Sequence, residues 1–178
     1  MSLRAIIVGM NLLLIALLGG CTGLRTFTPF AVLCWFAWRS ALHVSGWRGF
    51  AASVIAVSIF TLLAVGELVG DKLPATPSRT KAGGLIGRSL FSAFAALVLA
   101  QPLLLSPAIA ILVAIVGAWI GAFAGWFART RSVTTLKCPD WPVALTEDAI
   151  CIGLSITFMH LVAYHSTAFL GNDGLWVR

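Results

Sequence analysis

The run SLFSAFAALVLAQPLLLSPAIAILVAIVGAWIGAFAGWFA, from Ser89 to Ala128, contains no ionised side chain. A helix crosses the roughly 30 Å hydrocarbon core of a bilayer with about 20 apolar residues, so this run is too long for one crossing. Gln101-Pro102 and Ser106-Pro107 divide it, because proline removes a helix donor and its ring collides with the preceding turn. Two spans result, over residues 82–100 and 108–128. The first must start near Ala82 to be long enough, which leaves Arg88 in its opening turns, either reaching for the headgroups or facing a partner.

Working outward, residues 5–24 are uncharged and form a further span. Residues 27–43 carry only Arg39, about one turn from the end, where a long stem stays apolar while the guanidinium reaches polar surroundings. Residues 49–67 run uncharged into Glu67, and residues 143–170 follow Pro139-Asp140-Trp141-Pro142. The expected fold is all-α: a polytopic transmembrane helical bundle of about six spans, forming one integral membrane domain. Composition points the same way, since 60% hydrophobic residues, 10% charged residues and a mean hydropathy of +0.99 lie outside the range of soluble domains. The 178 residues leave no room for a separate soluble catalytic domain.

The first twenty or so residues resemble a secretory signal, and Leu18-Gly19-Gly20-Cys21 loosely resembles a lipoprotein cleavage box. Arg4 is the only charge before a long apolar run, and Gly23-Leu24-Arg25 continues as the end of a helix, so a retained span is expected.

With six crossings, one face collects Arg25, Lys72, Arg79, Lys81, Arg88, Arg129, Arg131 and Lys137, against Arg4, Arg39, Arg48 and Arg178 on the other. The positive-inside rule then puts the charged loops in the cytoplasm and both termini outside. The formal charge of +6 is accounted for by these span ends, so the expected partners are membrane lipids, anionic ones included, and not nucleic acid.

Catalysis and metal binding are not indicated. The sequence has no phosphate loop of the G-x-x-x-x-G-K-[ST] type, no H-E-x-x-H metal pair and no G-x-S-x-G nucleophile elbow. Cys21, Cys34, Cys138 and Cys151 form no C-x-x-C pair and read as reduced packing residues. His43, His160 and His165 fall on the face opposite the acids, and the last two are five residues apart, a poor helical metal pair. No metal or cofactor is expected.

Five of the six acids, Glu67, Asp71, Asp140, Glu147 and Asp148, share the basic face. Glu67 and Asp71 stand at i, i+4 and share a helix side if span three continues that far. Such a pair can bind a cation, share a proton or pair with arginines; pairing fits best, because buried charges need partners. For Glu147 and Asp148 two readings stand. Thr146 caps a helix whose positive end favours them, or Asp140 caps it and Glu147 lies about two turns inside, needing a cation such as Arg129 or Arg25.

Gly19 and Gly23, and then Gly117, Gly121 and Gly125, form small-residue ridges of the kind that let helices approach closely in lipid. These are packing positions. They also allow spans one and five to cross near each other, bringing Arg25 and Arg129 together.

Gly23-Leu24-Arg25-Thr26-Phe27-Thr28-Pro29, Gly66-Glu67-Leu68-Val69-Gly70-Asp71-Lys72-Leu73-Pro74 with Pro77-Ser78-Arg79-Thr80, Pro139-Asp140 and Glu147-Asp148-Ala149-Ile150 resemble the small bacterial integral membrane proteins grouped as domain of unknown function 4126. The resemblance extends over nearly the whole chain and implies a multi-span protein of the bacterial inner membrane with no assigned activity. Trp141-Pro142 departs from that pattern.

Two functions fit this sequence. One is a small transporter or lipid-handling protein in which Arg25, Lys72, Arg79 and Arg129 engage an anionic group while Glu67 and Glu147 tune or gate a cleft. The other is a structural or partner-binding bundle in which these residues, with Asp71 and Asp148, form an ion-pair network. No inverted repeat supports transport: the similar glycine ridges end spans that run in the same direction.

Overall fold

The computed structural model describes residues 3–71, 82–137 and 139–172. Lys72 and Arg79 of the expected site, and Cys138, lie outside the described residues. Every regular element among the described residues is helical: α1 Leu3–Leu24, α2 Thr28–Trp38, a 3-10 segment Gly46–Ala52, α3 Val54–Gly70, α4 Ala82–Leu99, α5 Pro107–Leu136 and α6 Asp140–Asn172.

Helices α1, α4, α5 and α6 are long and apolar enough to cross a membrane. The 3-10 segment and α3, bent by 59° at their junction, make a fifth crossing when taken as one broken span. Ser53 marks the bend and caps α3 by accepting a hydrogen bond from the Ala56 amide at 3.1 Å. The remaining expected span is a shorter apolar helix. α2 has 11 residues, about 16 Å at 1.5 Å per residue, so the count of six is approximate.

The early end of α2 has a local cause. Arg39 is the C-cap, and Ser40 takes the left-handed conformation at φ 56°. The Ser40 amide then donates to Ala37 O at 3.1 Å and the Ala41 amide to Phe36 O at 3.0 Å, the double closure that satisfies a helix's last carbonyls. A glycine usually occupies that position. Here a serine does, and the sequence gives no stop signal.

At the other predicted break the prolines act as expected. α4 ends at Leu99, and α5 opens with Pro107 in its first turn, where its missing N–H leaves no bond unmade. The intervening corner is fastened to the rest of the bundle. Asn11 Nδ2 of α1 donates to Leu103 O at 3.0 Å, and Arg48 Nε donates to Leu97 O at 3.1 Å.

The most extensive helix contact is between α1 and α5, and glycine makes it possible. A methyl group added at Gly19 would strike Ala114 O, one at Gly23 would strike Ala118 O, one at Gly117 would strike Ala16 O, and one at Gly121 would strike Gly20 O. All four collisions are with backbone, which has no rotamer with which to escape. Ala110, Ala114, Ala118 and Ala122 are buried on the same helix, so the seam is built of small residues throughout. Gly125 stands one turn further toward Arg129.

A second packing centre is aromatic. Phe30 of α2 is buried, with its ring 4.4 Å from that of Phe60 in α3 and 5.1 Å from that of Phe94 in α4. These contacts hold the short helix against the long ones. Outside, Ile55 and Leu62 of α3 are each 72% exposed and Leu112 and Ile120 of α5 each 65%, an apolar exterior that suits lipid.

The seam yields a direct test. Gly121→Ala is expected to lower the thermal midpoint of the detergent-solubilised protein and to cost more than the about 1–3 kcal/mol typical of overpacking, since only backbone can yield. Gly153→Ala, whose added methyl meets nothing within 4 Å, is expected to be neutral or to stabilise by under about 1 kcal/mol.

Candidate functional site

The α1–α5 seam sets the geometry of one end of the bundle. α1 stops at Leu24, and the Arg25 amide closes its last turn on Cys21 O at 2.9 Å. Arg25 leaves the helix beside the row that ends in Arg129. Asp71, the C-cap of α3, reaches both: its Oδ2 lies 2.8 Å from Arg25 Nη1 and accepts a hydrogen bond from Arg129 Nη1 at 2.6 Å. One carboxylate oxygen thus joins the ends of three helices.

The fourth helix enters through its first turns. α6 begins at Asp140, so Glu147 and Asp148 lie about two turns inside it, and Thr146 hydrogen-bonds within the helix to Val143 O instead of capping its start. Asp148 Oδ1 forms an ion pair with Arg25 Nη2 at 2.5 Å, lying off hydrogen-bond alignment. Arg129 Nε donates to Asp140 Oδ1 at 2.8 Å while its Nη2 contacts Asp140 Oδ2, the two-pronged grip of a guanidinium on a carboxylate. Glu147 Oε2 lies 3.9 Å from Arg129 Nη1.

Glu67 does something different. Its Oε1 accepts from the Thr26 amide at 2.7 Å and its Oε2 from the Phe27 amide at 2.9 Å. It therefore binds the backbone that enters α2, where N–H groups have no helical acceptor and the dipole favours negative charge. The arginine pairing expected of the Glu67 and Asp71 pair is seen at Asp71, and Glu67 serves as a cap supplied from another helix. Arg88, buried in α4, donates from Nη1 to Gly84 O of its own helix at 3.2 Å and from Nε to Gly23 O at 2.9 Å, the latter securing α4 to the last turn of α1.

Burial grades the cluster from inside to outside. Arg25 is 1% exposed and is the largest fully buried side chain among the described residues, while Asp140 is 56% exposed at the rim. A buried guanidinium is tolerated only with acceptors against it, and carboxylates are the strongest. Arg25 has two, and its Nε makes no hydrogen bond. Burial alone would raise the Asp71 pKa, but the Arg25 charge and the hydrogen bonds from Arg129 and Arg25 outweigh it and hold the carboxyl below its ordinary 3.8.

The structure therefore brings Arg25, Glu67, Asp71, Arg129, Glu147 and Asp148 to one rim and adds Asp140 and Arg88, which the sequence reading did not place in the cluster. A signal for Asp140 existed, as its position at the head of a helix was legible. For Arg88 the position inside α4 was legible, but not its backbone acceptors. No group of three or more His, Cys, Asp or Glu side chains among the described residues is placed to hold a metal ion. His160 packs on Phe36 with ring centroids 4.7 Å apart, 12 residues and about 18 Å along α6 from Asp148. Chemically the rim is an electrostatic clamp, with Arg25 and Arg129 each held between carboxylates from different helices.

No protein family, characterised protein or solved structure matches the chain.

Asp71→Asn is expected to destabilise the bundle by about 3–5 kcal/mol, because it strips a partner from a buried arginine. The folded-state pKa of Asp71 is depressed, so its contribution is complete above the ordinary carboxylate pKa and disappears as pH falls through the folded value. Unfolding midpoints measured on the acid side should fall with pH in the wild type and fall less steeply in Asp71→Asn.

Proposed function

We propose that this chain is a structural or partner-binding membrane bundle whose charged rim locks the helix ends together. The observation that carries this reading is the Asp71 carboxylate shared by Arg25 and Arg129. Both guanidiniums are turned inward onto carboxylates of the same molecule, so neither is presented to an outside anion. The bundle belongs in the bacterial inner membrane with the rim toward the cytoplasm. The excess of Lys and Arg at that rim supports the orientation, and the motif resemblance to domain of unknown function 4126 supports the bacterial assignment.

The other reading, a small transporter or lipid-handling protein with Arg25, Lys72, Arg79 and Arg129 around an anionic ligand, has less support. Such a ligand would have to displace Asp71, Asp140 and Asp148 from guanidiniums they already hold. A hub serving only as a lock can be replaced by apolar residues of similar volume, because the desolvation penalty disappears along with the attraction.

This gives the test. Arg25→Met alone should destabilise the protein by about 3–5 kcal/mol, because Asp71 and Asp148 lose the guanidinium between them. Arg25→Met combined with Asp71→Leu and Asp148→Leu should recover part of that loss, with Arg129 still held by Asp140. A triple variant that folds with wild-type helicity but loses an anionic lipid or solute retained by the wild type through purification would overturn the structural reading in favour of ligand handling.

A further inference from the structure

The opposite half of the molecule carries a feature that the ion-pair hub does not use. Between α2 and α6 lies a groove of about 540 Å³, lined by Val32, Trp35, Phe36, Arg39, Ile156 and His160 among others. Its walls are fixed by the protein's own contacts. The Phe36 ring meets His160 edge-on at 4.7 Å, and Trp35 Nε1 donates to Thr61 Oγ1 of α3 at 3.0 Å. Arg39 is the only groove-lining residue with a formal charge.

Arg39 is exposed, and its guanidinium makes no hydrogen bond or ion pair among the described residues. The acids within the described residues, Glu67, Asp71, Asp140, Glu147 and Asp148, are all gathered at the far rim. Arg39 caps the far end of α2, 11 helical residues and about 16 Å along the helix from the end that enters at the charged rim. A cation so placed on the outside of a membrane bundle needs an anion or water against it, and the described residues supply no anion there. The groove beside it is mostly apolar, and Trp35, Ile156 and His160 in its walls are exposed.

We propose that this groove holds one anionic glycerophospholipid, its phosphate paired with Arg39 and an acyl chain lying along Val32, Phe36 and Ile156. A phospholipid meets both demands of the site: a negative group for the unpaired guanidinium and a chain for the apolar walls. Trp35 and His160 flank the junction of the two, where amphipathic rings are favoured. The assignment is independent of the rim lock, since no residue is shared between them.

The test is native mass spectrometry of the protein released from bilayers of equal parts phosphatidylglycerol and phosphatidylethanolamine, with palmitate added in a separate arm. One phosphatidylglycerol per chain should be retained over phosphatidylethanolamine by about fivefold, the preference that one basic residue near an anionic headgroup supports. Arg39→Gln should bring that ratio close to one. Arg39→Lys should keep part of it, and Arg48→Gln, at a cation already bonded to Leu97 O, should leave it unchanged. If Arg39→Gln does not fold, Ile156→Trp, which fills the groove and keeps the charge, should remove the bound lipid. Equal retention of the two phospholipids by the wild type, an unchanged ratio in Arg39→Gln, persistence of the lipid in Ile156→Trp, or preferential retention of palmitate would each overturn the proposal.

Discussion

A guanidinium buried in an apolar bundle needs acceptors placed against it, and that requirement at Arg25, met by carboxylates, organises one end of this protein. Asp71 and Asp148 meet it from α3 and α6, and Asp71 extends the network to Arg129 on α5. Four helices that are distant in sequence are thereby fixed at a common level. Glu67, one turn before Asp71, fastens the chain entering α2 to the same level through two backbone amides. Removing a charge from this set affects more than one pair, because Asp71 and both arginines each serve two or more partners.

The hub in turn depends on glycine. Arg25 and Arg129 reach the same carboxylate oxygen only because α1 and α5 pack with their backbones almost in contact, with Gly19, Gly23, Gly117 and Gly121 at the places where a side chain would collide with a carbonyl. In lipid there is little hydrophobic force to drive helices together, so close packing of small residues and polar pairing supply the cohesion. The seam brings the arginines together and the acids hold them. Arg88 adds a third fastening by bonding to Gly23 O, a carbonyl on the seam itself.

Much of this could be read from the residues, and what could not has identifiable physical reasons. The long helices followed from uncharged runs and prolines, and the α4–α5 corner fell where Gln101-Pro102 and Ser106-Pro107 placed it. The convergence of Arg25 with Arg129 was available as one consequence of the glycine spacing. The early end of α2 was hidden, because Ser40 takes the left-handed position that glycine normally signals. The role of Glu67 was hidden for a different reason. Its partners are backbone amides of Thr26 and Phe27, and backbone leaves no mark in a sequence. The aromatic centre around Phe30 also passed unnoticed, since its rings come from α2, α3, α4 and the 3-10 segment and show no periodicity in any one of them.

The most direct measurement is a through-space solid-state NMR correlation, in lipid bilayers, between guanidinium nitrogens and the side-chain carboxyl carbon of Asp71. Correlations from both Arg25 and Arg129 to that one carbon are predicted, matching approaches of 2.8 and 2.6 Å. An Asp71 carboxyl that correlates with water and with neither arginine, in a sample whose α1–α5 glycine contacts are intact, would contradict the account.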